Sequence, residues 1–195
     1  MLIAQQKRKE NIAEYLLYMW QIEDMLRACD LDDSKVEQLL VARFDSPDLP
    51  EGTLKEIGEW YTNLTQMMRI EGKRETGHLQ INENILIDLT DLHLRLLRHG
   101  QDAIYTSAFY ATLPLIIELR GKEGEHKTGE LETCFTALYG ILMLRLQGKA
   151  IGQETELAQK QIAKFIGLLA HKYSLWKKGE LHFDDDDLPP AFQAQ

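Results

Sequence analysis

Apolar residues recur at three- and four-residue spacing along almost the whole chain, and no stretch alternates with the two-residue period of a strand. The pattern predicts an all-α protein of about seven helices. The first spans about residues 5–29, with Ile12, Tyr15, Leu16, Met19, Ile22 and Leu26 in one stripe. Ser34 with Glu37, and Thr53 with Glu56, have the spacing of capping boxes and open a short second helix and a longer third. Between these two, "DSPDLPEG" carries Pro47, Pro50 and Gly52 and breaks the chain. A fourth helix, capped by Asn82 or Asn84, stops at Gly100. A sixth spans about 131–146 and a seventh about 155–178.

The fifth helix is the unusual one. Ala103 to Ile117, "AIYTSAFYATLPLII", contains no charge in a chain that is 27% Asp, Glu, Lys and Arg. Fifteen residues make a helix of roughly 22 Å, short of the about 20 residues a bilayer core requires, so no membrane span is expected. A helix apolar around most of its circumference is surrounded by protein. The expectation is a central helix near 103–119, wrapped by its own chain or burying its second face on another subunit. Pro114 should kink it, because Tyr110 loses its hydrogen-bond donor.

Composition narrows the function classes. The length of 195 residues suits one compact helical domain, taken as 1–179. The remaining 180–195, with Asp184 to Asp187 and Pro189-Pro190, reads as a flexible acidic tail. A formal charge of −9, with the basic residues scattered, disfavours nucleic acid as a partner. Cys29 and Cys134 lie far apart among apolar neighbours and read as reduced, packed thiols. Together with an N-terminus that lacks a signal-like apolar run, they point to a cytoplasmic protein.

No catalytic motif appears. Three ionisable residues fall on apolar helix faces: Glu23 on the first helix, His93 on the fourth and Arg145 on the sixth. A buried charge needs a partner. The structural expectation is a Glu23–Arg145 or Glu23–Arg27 pair with His93 neutral and hydrogen-bonded. The functional alternative gathers Glu23, His93 and Arg145 around a polar pocket. Glu75-x-x-His78 and Glu123-x-x-His126 have the spacing of bundle metal sites, but glycines place them in turns, so no metal site and no cofactor is expected. "WYTNLTQMMRIEGK" and "FYATLPLIIELRGK" align at an offset of 49, which reads either as a duplicated helical hairpin or, the favoured reading, as seven heptads that bring any two amphipathic helices into phase.

The strings "KRKENIAEYLLYMWQIEDMLRA" (Lys7–Ala28) and "FYATLPLIIELRGK" (Phe109–Lys122) resemble an uncharacterised family of bacterial, all-helical proteins, a domain of unknown function, over nearly the whole chain. The resemblance implies a helical fold and a cytoplasmic setting and carries no catalytic residue. The function expected on these grounds is that of a non-catalytic helical interaction or structural protein that self-associates as a homodimer. The alternative is a small-molecule-binding protein or enzyme with a polar pocket inside the bundle.

Overall fold

The computed structural model describes residues 1–122 and 128–183. Eight α-helices and no strand lie among them: α1 (Leu2–Glu10), α2 (Ile12–Ala28), α3 (Asp33–Val36), α4 (Thr53–Ile70), α5 (Gln80–His99), α6 (Ala103–Lys122), α7 (Glu130–Leu146) and α8 (Gln153–Lys177). The extra helix arises at Asn11. The apolar stripe runs on past this residue, but its side-chain oxygen accepts the Ala13 N–H at 3.0 Å, an N-cap bond that starts a new helix. The acidic run Asp184 to Asp187 and the Glu123–His126 spacing lie outside the described residues.

The chain divides into two compact units, one holding 1–10 and 14–85, the other 11–13 and 86 onward. The boundary falls within α5. In the first unit, α3 and the π-helical turn that follows it (Glu37–Val41) pack on α4. Neither expected capping box forms. Asp32 caps α3 by accepting the Lys35 N–H at 2.9 Å, which puts Ser34 inside the helix. The residue before Thr53 in α4 is Gly52, at φ 83°, with no side-chain bond. Gly72, at φ 67°, ends α4, with Lys73 donating to the Met68 carbonyl at 2.8 Å.

Asp30 and Leu31, which link α2 to α3, both take left-handed backbone, at φ 57° and 53°. That conformation is uncommon for non-glycine residues. Arg69 holds it in place: its Nε donates to the Leu31 carbonyl at 2.9 Å, and its Nη1 to Asp33 at 3.1 Å.

In the second unit α6, α7 and α8 pack against one another. Asp88 of α5 takes the Tyr173 hydroxyl at 3.3 Å and the Lys177 ammonium at 3.1 Å, both from α8. Tyr105, Phe109 and Phe165 form an aromatic centre with ring centroids about 5.6 Å apart.

α6 covers the expected uncharged stretch but is not wrapped on all sides by the described residues. Tyr105, Phe109, Thr112 and Ile116 are buried. Ala103, Ile104, Ser107, Tyr110, Ala111, Pro114 and Ile117 are exposed, with Ile104 at 72% and Tyr110 and Ile117 each at 61%. Pro114 sits inside the helix, and Gln161 of α8 donates to the Ala111 carbonyl in the turn before it. Among the described residues no helix is long and apolar enough to cross a membrane.

Candidate functional site

Glu23 occupies the apolar stripe of α2 and is fully buried. Its carboxylate meets three donors from the segment that leads into α5. Oε2 accepts from His78 Nδ1 at 2.6 Å; Oε1 accepts from the Leu79 backbone N–H at 3.0 Å and from Asn82 Nδ2 at 2.7 Å. Leu79 immediately precedes α5, so the carboxylate caps that helix from another element and faces the positive end of its dipole. The His78 ring stacks on Trp20, centroids 4.0 Å apart and planes 8° off parallel.

Arg27 braces the same segment by donating to the carbonyls of Lys73, at 3.3 Å, and Gly77. Lys73 in turn pairs with Glu83 at 2.7 Å.

Chemically, this is a carboxylate–imidazole dyad. A carboxylate can only accept, so Nδ1 of His78 carries the proton. His78 is 30% exposed, and its hydrogen bonding to described residues is complete at Nδ1. Nε2 is therefore the end that a ligand or solvent can reach. The fixed tautomer, an oriented ring and one open nitrogen are what proton transfer or ligation by histidine uses.

His93 belongs to a different network. It is 1% exposed, with Nδ1 2.6 Å from the Tyr105 hydroxyl and Nε2 3.5 Å from Glu130 Oε2. With Tyr105 donating to Nδ1, the proton sits on Nε2, which approaches the Glu130 carboxylate without forming a hydrogen bond. The rings of Phe109 and Phe165 lie 4.8 and 5.7 Å away. Burial pulls the imidazole below its ordinary 6.5, against the opposing pull of Glu130. Burial also raises the Tyr105 hydroxyl and pushes the Cys134 thiol up to about 12, so Cys134 is an inert, packed thiol.

The His93 shift predicts a pH dependence of stability. The unfolded chain takes up the His93 proton near 6.5, the folded chain only at lower pH. Between those values the unfolded state binds more protons, so stability is complete above about 6.5 and falls as pH drops below it. The urea midpoint should decline between about pH 7.5 and about pH 5.5, and His93→Gln should flatten that decline.

Each of the three residues marked in the sequence has its own partners in the structure. Glu23 bonds His78, Leu79 and Asn82, and the expected partner Arg27 does not pair with it. Arg27 pairs with Asp24 at 2.6 Å. Arg145 is exposed in the last turn of α7 and donates to Gln159 at 2.5 Å. His78 and Asn82 are the functional candidates that periodicity did not reveal. His78 lies in a polar turn, and its one sequence signal was the Glu75-x-x-His78 spacing, which belongs to different chemistry. Among the described residues no three His, Cys, Asp or Glu side chains cluster as a metal site.

Helices, a buried capping dyad and an aromatic centre define an all-helical fold among the described residues. Residues 1–180 match the family described as a domain of unknown function (DUF4924), and the chain belongs to that family. No curated protein and no solved structure matches it.

Proposed function

We propose that this chain is a non-catalytic helical interaction protein that works as a homodimer in the cytoplasm, with the outer face of α6 as its self-association surface. The observation that carries this reading is the exposed, uncharged stripe Ala103, Ile104, Ser107, Tyr110, Ala111, Pro114 and Ile117. Contiguous exposed apolar surface on a soluble chain marks an interaction site. A two-fold interface places the same patch on both subunits. A chain of formal charge −9 presents like charge to its own copy over much of its surface, and this stripe does not.

The positions Ala103, Ser107, Tyr110, Pro114, Ile117 and Gly121 follow alternating four- and three-residue steps, the spacing of a helix–helix seam. Small side chains in that series allow close approach of a second helix. A bend at Pro114 belongs to the same reading, since a curved helix follows a partner over more of its length. The buried, unpaired thiols Cys29 and Cys134 suit a reducing compartment.

Light scattering across a micromolar concentration range tests the assembly. One chain is 22.5 kDa, and the expected species has twice that mass. A single-chain mass throughout the range refutes the dimer.

A second reading is favoured by the Glu23–His78 geometry: a binding protein or enzyme that uses His78 Nε2 as its proton-accepting atom. Its test is the rate of carbethoxylation at His78, read by peptide mass. His78 should react faster than the exposed His171 if the dyad activates its ring, and no faster if Glu23 only caps α5.

A further inference from the structure

A cleft of about 390 Å³ opens in the second unit where α5 ends, α6 begins and the chain leaves α8. Its volume is within the about 300–1,000 Å³ typical of small-molecule sites. Leu96, Ile104, Leu181 and Phe183 supply apolar wall, and His99, Asp102, Lys172 and His182 supply the charged and titratable groups. We propose that this cleft binds a small planar organic anion, with the anionic group on Lys172 and the imidazoles and the planar body against Phe183 and the apolar wall.

The polar groups divide unevenly between acceptors and donors. Asp102 is committed: it accepts the Tyr105 N–H at 2.9 Å and the Lys172 ammonium at 2.5 Å. Lys172 holds its carboxyl below the usual carboxylate range, so it stays ionised and spent on α6 and on its partner. Lys172 has three N–H donors and uses one on Asp102. His99 touches Phe183, centroids 5.1 Å apart, and neither His99 nor His182 hydrogen-bonds a described residue. The unspent capacity of the cleft is therefore mainly donor capacity, which suits a carboxylate or a phosphate monoester. The Asp102–Lys172 pair is four-fifths buried on average, which fixes the ammonium in place before a ligand arrives. The chain's charge of −9 opposes an anion at long range, and the four aspartates that follow Phe183 in sequence lie outside the described residues. That repulsion is screened over about 8 Å at physiological salt, whereas the donors act at contact.

Naphthoate and naphthyl phosphate, with neutral naphthyl methanol as control, test this by fluorescence titration of the full chain. Either anion should bind at least about tenfold more tightly than the neutral probe, the difference one charge-assisted hydrogen bond supplies. Which of the two binds more tightly distinguishes a carboxylate from a phosphate site. Lys172→Met should remove that preference. It also frees the Asp102 charge, so His182→Gln, beyond the last helix, is the variant that spares the fold; it should weaken the anion several-fold and leave the neutral probe unchanged. Equal binding of anion and neutral probe, no binding of any probe, or His182→Gln and Lys172→Met both without effect overturns the proposal.

Discussion

Glu23→Ala is expected to lower the unfolding free energy by about 2–6 kcal/mol, from two buried donors each left without an acceptor at a cost of about 1–3 kcal/mol. The deletion strands the Leu79 N–H and the Asn82 amide, both buried, and leaves His78 without the acceptor that fixes its ring. A buried donor without an acceptor costs more than the net value of its hydrogen bond. Glu23→Gln should cost less. The amide oxygen still accepts from Leu79 and Asn82, and its NH2 faces Nδ1, which can turn acceptor by changing tautomer. Urea unfolding followed by circular dichroism at fixed pH measures both. The order Ala well below Gln, and Gln below wild type, is the signature of a carboxylate acting chiefly as an acceptor. Near-equal losses would mean that its charge, rather than its hydrogen bonds, holds the segment before α5.

Tyr110→Glu with Ile117→Glu is expected to turn the proposed dimer into a monomer at micromolar concentration. Both side chains are 61% exposed, so the fold has little stake in them. At a two-fold interface each substitution acts twice and sets like charges against each other in a desolvated seam, where such juxtaposition costs several kcal/mol. Ile70→Glu is the matched control: Ile70 is 75% exposed on α4, a different helix. Sedimentation velocity should show the double variant as one chain and the control unchanged, with both retaining wild-type helicity. Ile70→Glu dissociating the assembly while the double variant does not would move the interface off α6.

The extent of α6 was legible because charge and helix breakers bound it: Asp102 caps its first turn, and the uncharged run ends at Glu118. Its orientation was not. A helix reads inward or outward from the contrast between apolar and charged faces, and α6 has almost no contrast to read. Tyr105 and Tyr110 are the same residue type in the same helix, and one is fully buried while the other is exposed.

Glu23 was legible as a carboxylate on an apolar stripe. Its partners were not, because His78 and Asn82 lie 55 and 59 positions further on and enter from a turn and a helix start, where periodicity says nothing about direction. Arg145 fell on the expected face but in the last turn of α7, where the helix runs out into solvent. Asn11 shows the same limit in small: the stripe continued across it, and the local side-chain bond that ends one helix and starts the next has no periodic signature.

Hydroxyl-radical footprinting of the wild-type chain, from nanomolar to tens of micromolar, addresses the coverage of α6 most directly. Tyr110 and Ile117 should become protected as concentration rises through the association range, while Ile70 of α4 and Leu157 of α8, exposed on other helices, keep constant reactivity. Unchanged labelling of Tyr110 and Ile117 at every concentration, with the chain otherwise folded, would contradict the account.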